Sequence, residues 1–227
     1  MKKRSRPRII FFDAVGTLFH LPKGVGYHYA LVGRQLGLHL DLTALDSAFA
    51  SVWKEMPTRP ATRVPRPDDD KGWWQDIVDR VLERCASSLS SAERARYFEA
   101  VYQHFTEAGV WELYPEVSAV LEQLRSHYPL AVISNFDGRL RLILERLGIA
   151  PSFSSVVISS EVGSDKPDPY IFQRALELNG CTAADGLHVG DDPVRDWGGA
   201  AAVGMRVFAL ERPSNSLRDL VSFLGDS

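Results

Sequence analysis

Four short stretches of this 227-residue chain hold residue types that could do chemistry together. The first reads Asp13-Ala14-Val15-Gly16-Thr17-Leu18 and the second Ser134-Asn135. The third is Ser164-Asp165-Lys166-Pro167-Asp168-Pro169, and the fourth is Gly190-Asp191-Asp192-Pro193-Val194-Arg195-Asp196. Carboxylates, a hydroxyl and an ammonium, once brought together, suit a hard divalent cation and an anionic substrate. Taken singly, each has an ordinary structural reading. Asp13 fits a turn, Asp191, Asp192 and Asp196 fit the cap of a helix N-terminus, Ser134-Asn135 a strand-to-helix turn, and Lys166 a solvated loop. Only their joint placement points to catalysis.

That placement comes from the elements around them. Residues 8–12, 129–133, 155–158, 187–189 and 205–210 are short apolar runs without polar alternation, which reads as strands buried on both faces of a parallel sheet. Helical patterns follow at 139–147, 170–178 and 194–203. Strands alternating with helices predict an α/β fold, a doubly wound, Rossmann-like parallel sheet. Ligands of such sheets bind beyond the carboxyl ends of the strands, and the four stretches follow those ends. Residues 21–111 read differently, with helical patterns at 27–36, 42–53, 73–85 and 92–105 and no comparable strand. The segment 56–71 carries Pro57, Pro60, Pro65 and Pro67 before Asp68, Asp69 and Asp70, and reads as an irregular, solvated loop. The expected organisation is therefore a core of residues 1–20 and 112–227 with a helical cap, 21–111, inserted after the first strand.

The stretches at Asp13–Leu18, Ser134, Lys166 and Gly190–Asp196 resemble, in order, the four signature motifs of the haloacid dehalogenase-like superfamily. The insertion is similar to that family's cap of the first type, and the resemblance covers nearly the whole chain. Gly72-Trp73-Trp74, residues 131–137 and Lys166-Pro167-Asp168-Pro169 are similar to one particular group within it. The resemblance implies a hydrolase in which Asp13 attacks phosphorus and forms an aspartyl phosphate, splitting one hard displacement into two easier ones. Gly16 would turn the chain beneath the substrate, Thr17 and Ser134 would donate to phosphoryl oxygens, and Asn135 would join the substrate-binding set. Lys166 would neutralise the crowded charge. Mg²⁺ is the implied cofactor. Asp13, the Val15 carbonyl and Asp191 are its implied ligands, while Asp192 and Asp196 bind directly or orient coordinated water. The implied partner is a phosphorylated small molecule.

One position departs from the pattern. Phosphatases of the family usually carry a second Asp two residues after the nucleophile, as proton donor to the leaving group, and here that residue is Val15. Haloacid dehalogenases also lack it and work without metal, so a metal-independent 2-haloacid dehalogenase is the alternative enzyme. The acidic pair Asp191-Asp192 favours the metal. A weakly active or inactive binding protein of the same fold is the alternative of another class, against which Asp13 and Lys166 argue. Trp73 and Trp74 read as cap core, and Lys23 and His28 as surface residues near the first motif.

Bulk properties bound the partners. With 26 Lys and Arg against 29 Asp and Glu, the net charge is −3, which gives no electrostatic reason to expect nucleic acid or an anionic membrane. The apolar run behind the basic start is far shorter than the roughly 7–15 residues of a secretory signal. Cys85 and Cys181 lack metal-type spacing and suit reduced thiols in a cytoplasmic protein.

Overall fold

The computed structural model describes residues 6–86 and 88–225. These form two compact units. One contains the described residues up to His20, Pro60–Asp69, and the described residues from Glu112 onward; the other contains Leu21–Arg59 and Asp70–Trp111. Pro60–Asp69 thus packs with the unit that carries the motifs, although it lies within the inserted stretch of the chain.

The first unit is built on a five-stranded parallel sheet. Its strands are β1 (Ile9–Phe12), β4 (Leu130–Ser134), β5 (Ser155–Ile158), β6 (Gly186–Gly190) and β7 (Arg206–Ala209), in the order β5-β4-β1-β6-β7. A two-residue antiparallel pair, β2 (Phe19–His20) with β3 (Glu112–Leu113), joins the points where the chain leaves and re-enters this unit. Helices α5 (Val117–Arg125), α6 (Arg139–Arg146), α7 (Ser159–Val162), α8 (Pro169–Leu178), α9 (Gly199–Ala202) and α10 (Leu217–Gly225) complete it. The chain runs outward from β1 through β4 to β5 on one side, and through β6 to β7 on the other. β1 is therefore the switch point, and the residue after it, Asp13, sits where such sheets bind ligands.

The sequence dictates this centre. Ile10, Phe11 and Phe12 are wholly buried, and Ile9 nearly so, because β1 has a neighbour on each edge and cover on each face. Full burial of one such side chain stabilises by about 1.5–3 kcal/mol, so four in a row fix the register firmly. Phe11 pairs with Ala131 on one side and His188 on the other. Phe11 also packs with Ile133, Phe172 and Met205 in one core cluster.

The second unit holds α1 (Gly24–Gln35), α2 (Leu42–Glu55), α3 (Lys71–Cys85) and α4 (Ser91–His104). Asp41 caps α2, and Ser90 with Glu93 forms a capping box on α4. Its core includes Tyr29, Leu45, Ile77, Leu82 and Tyr97, with Trp73 and Trp74 packed against it, as expected. His28 is buried rather than superficial. Its Nδ1 lies 2.9 Å from His104 Nε2 and its Nε2 lies 3.2 Å from the Pro22 carbonyl, while His104 Nδ1 lies 2.9 Å from Glu107. No helix among the described residues is long and apolar enough to cross a membrane.

Replacing Phe11 with Ala should lower unfolding free energy by about 3–5 kcal/mol in a urea titration. Leu178→Ala, at a side chain 62% exposed, should change it by less than about 0.5 kcal/mol.

Candidate active site

Asp13 follows β1, and its backbone N–H is bonded to Val189 of β6. The turn behind it is tight. Leu18 N–H bonds to Ala14 and Gly16 N–H to Phe19, while Val15 makes an isolated bridge with Phe19. Gly16 has φ +89°, and a Cβ there would stand 2.4 Å from an Asp191 oxygen. Glycine satisfies both conditions, the left-handed backbone and the close approach of a carboxylate.

Lys166, expected as a solvated residue if structural, is buried. Its ammonium donates to Asp13 Oδ1 and to Asp196 Oδ1, each at 2.6 Å. The loop that carries it is locked to the end of β4. Asn135 donates from Nδ2 to the Lys166 carbonyl at 2.9 Å and accepts from the Lys166 N–H at 2.6 Å. Both atoms of the Asn135 amide group are thereby engaged by backbone, which makes this side chain a brace for the lysine. Ser134, the last residue of β4, is buried beside it.

The carboxylates of Asp13, Asp191 and Asp196 can place oxygens within 4.8 Å of one another. Thr17 directs its hydroxyl at Asp191 Oδ1, 3.2 Å away, rather than at open space. Asp192 does not join the cluster. Its Oδ1 caps the π-helical turn Pro193–Gly198 by accepting from the N–H groups of Val194 and Arg195, both at 2.8 Å. Asp196 lies inside that turn, almost fully buried, and Gly190 has no room for a side chain because Asp196 fills it.

The electrostatics follow from one ammonium serving two carboxylates. Burial alone would push the Lys166 ammonium down, but Asp13 and Asp196 outweigh it and hold its pKa above the usual range. Burial pushes Asp13 up, and Lys166 does not fully offset it. Burial would also raise Asp196, yet Lys166 and His188 together hold it below the usual carboxylate range. The two differ because Asp196 has further donors, whereas among the described residues Asp13's side chain has Lys166 alone. Asp191 is raised, first by burial and then by Asp196.

Several contributors carried no motif. His188 of β6 lies 2.9 Å from Asp196 Oδ1; its only trace in the sequence is one imidazole inside an apolar run. Trp197 Nε1–H bonds to the Gly190 carbonyl at 2.7 Å. Arg212 donates to the Thr17 carbonyl at 3.2 Å, pairs with Glu116 at 2.6 Å and lies 3.6 Å over the Tyr114 ring. Asp69, within a run of aspartates that reads as solvated, accepts from Gly138 N–H at 2.8 Å and Ser160 Oγ at 2.5 Å.

With a nucleophile-type carboxylate, a buried ammonium and an acidic cluster at the switch point, the fold and site define a class. A family model for haloacid dehalogenase-like hydrolases matches residues 7–204, and the chain belongs to that family. Within it, the group resembled at Gly72-Trp73-Trp74 is haloacid dehalogenase-like hydrolase domain-containing protein 3. The Bos taurus member is 35% identical over 215 residues, covering 94% of this chain and 85% of that one. Two solved structures share the fold. A HAD phosphatase from Thermococcus onnurineus superposes with TM-score 0.67 at 20% identity, over 97% of this chain and 99% of that one. A 2-haloacid dehalogenase from Pseudomonas syringae gives 0.66 at 22%, over 96% and 98%.

Gly16→Ala tests the turn. The strained backbone should remove about 1–3 kcal/mol of stability in urea unfolding, and crystals of the variant should show the Asp191 carboxylate displaced.

Proposed function

We propose that this hydrolase is a magnesium-dependent phosphohydrolase that works through an aspartyl phosphate on Asp13. The observation that carries the reading is the crowding of Asp13, Asp191 and Asp196 around a single ammonium. Ionised, three carboxylates against Lys166 leave 3 − 1 = 2 uncompensated negative charges in a cluster where Asp13 and Asp196 are buried and Asp191 is exposed. Such an excess is expensive without a cation, and an all-oxygen donor set suits Mg²⁺, which the family generally uses. Asp13, the Val15 carbonyl and Asp191 would hold it, Asp196 would complete the acidic wall, and Asp192, committed to its cap, would stand outside. Bound there, the ion would supply positive charge to the phosphoryl oxygens.

The protein's own groups do the rest. An Asp13 oxygen attacks phosphorus, the new P–O bond forms, and the leaving oxygen departs with its electron pair. Lys166 offsets the charge between nucleophile and phosphoryl group, the Ser134 hydroxyl donates to a phosphoryl oxygen, and Thr17 holds Asp191 in place. Water then attacks phosphorus, the P–O bond to Asp13 breaks with its electron pair returning to the carboxylate, and the released phosphate keeps both of the water's protons.

Val15 limits this chemistry. Its side chain is 37% exposed where a proton donor would stand, and it has no proton to give. His28 offers no substitute, since both of its ring nitrogens are engaged within its own unit. The leaving group therefore departs as an unassisted anion, which favours aryl and acyl phosphates over alkyl phosphates.

Two experiments test the reading. Asp13→Asn should abolish p-nitrophenyl phosphate hydrolysis while leaving the fold intact, and a chelator should do the same to the wild type. Halide release from a 2-haloacid without metal would instead identify a dehalogenase, and no turnover in either assay a binding protein. Val15→Asp should raise alkyl phosphate hydrolysis by up to about 10²–10⁴-fold and aryl phosphate hydrolysis much less. Wild-type rates equally high on both classes would refute the leaving-group argument.

A further inference from the structure

His188 stands out as a polar ring where the fold alone would accept an apolar one. It is wholly buried in β6, between β1 and β7, with Phe11 and Val207 as its register partners. Its ring meets Phe172 edge to face, with centroids 5.4 Å apart. Burying an imidazole there is unfavourable unless its polar atoms are used. One is used, for Nε2 lies 2.9 Å from Asp196 Oδ1.

The protonation pattern follows from the partners. A carboxylate only accepts, so Nε2 must carry the hydrogen. Nδ1 is buried and has no hydrogen-bond partner among the described residues. A second N–H there would be stranded in the interior, whereas a bare lone pair against apolar neighbours is tolerated more readily. The ring therefore donates from Nε2.

The consequence lies one residue further on. Asp196 Oδ1 receives both Lys166 and His188, and Oδ2 receives the Asp192 N–H at 3.1 Å. The backbone donor and the imidazole are the two rigid ones; the lysine hangs on a flexible stem. With His188 removed, only one rigid contact would resist rotation of the carboxylate, and the ammonium it steers would shift with it. We propose that His188 is a positioning residue: a fixed Nε2–H donor that sets the Asp196 carboxylate, and through it the Lys166 ammonium against Asp13. The inference rests on the reading of Asp13 and Lys166 as the reacting pair.

The test compares His188→Phe with His188→Gln. Phenylalanine keeps the contact with Phe172 and removes the donor; glutamine restores an amide N–H at similar reach. On p-nitrophenyl phosphate with Mg²⁺, H188F should lose about 10–100-fold in kcat with KM little changed, and H188Q should recover most of it. H188F turning over at the wild-type rate, or H188Q as slow as H188F with both folded, would overturn the proposal. Should H188F fail to fold, H188Q and side-chain ¹⁵N spectra of the wild type decide. Those spectra should show Nε2 carrying the hydrogen, and an Nε2 without one would overturn the proposal. If the wild type releases halide instead of phosphate, the phosphohydrolase reading falls, and the same kcat comparison on that reaction still judges His188.

Discussion

The Lys166 ammonium, enclosed between Asp13 and Asp196, is the interaction on which the remainder of the site depends. A lysine is almost never fully buried unless it is paired, and here it is paired twice at 2.6 Å. Breaking such a pair by removing one partner typically costs about 3–5 kcal/mol, because the other charge is left buried and unmatched. The surrounding architecture can be understood as what keeps three charged groups in place. The β1 end supplies Asp13, the turn Pro193–Gly198 supplies Asp196, and Asn135 grips the lysine's own backbone from the end of β4. Each comes from a different crossover, so the sheet must form before the site exists.

The ten residues Pro60–Asp69 show how a segment without regular structure can be held as firmly as a strand. The N–H groups of Thr62 and Arg63 bond to the Gly163 carbonyl, Arg66 N–H to that of Ser160, and Arg66 pairs with Asp165 at 3.2 Å. Asp69 ends the segment in a left-handed conformation, φ 52°, with its carboxylate joined to Gly138 and Ser160. Gly138 and Gly163 leave no space for a Cβ where the segment crosses them. The contacts fall on the two stretches that lead from Ser134 and toward Lys166. Just beyond each end, Arg59 and Asp70 pair at 2.7 Å.

Much of this was legible in the residues, because buried parallel strands announce themselves as apolar runs and their ends can be inspected for chemistry. Asp13, Lys166, Asp191 and Asp196, which the structure brings together, were singled out that way, and the parallel sheet with them. What remained hidden has physical reasons. The two-residue pair β2–β3 is too short to have a period. Asp69 and Asp70 share a composition with solvated turns, and only their long-range partners make them different. Thr17, Asn135 and Asp192 carry the right chemistry for the site, yet hydrogen bonds with nearby protein groups set their geometry. No spacing rule distinguishes an Asp that caps a helix from one that faces into a site.

The imidazoles of His28 and His104 carry an arithmetic of their own. Their chain ends on two atoms that can only accept, the Pro22 carbonyl and the Glu107 carboxylate, and each end therefore requires an N–H. The bond between the rings requires one more. Two neutral imidazoles possess two such hydrogens, so neutral rings can complete two of the three links at a time. Burial, chief among the influences on His28, disfavours charge there. Within this unit, the entry at Pro22 and the segment after α4 are joined through those two rings.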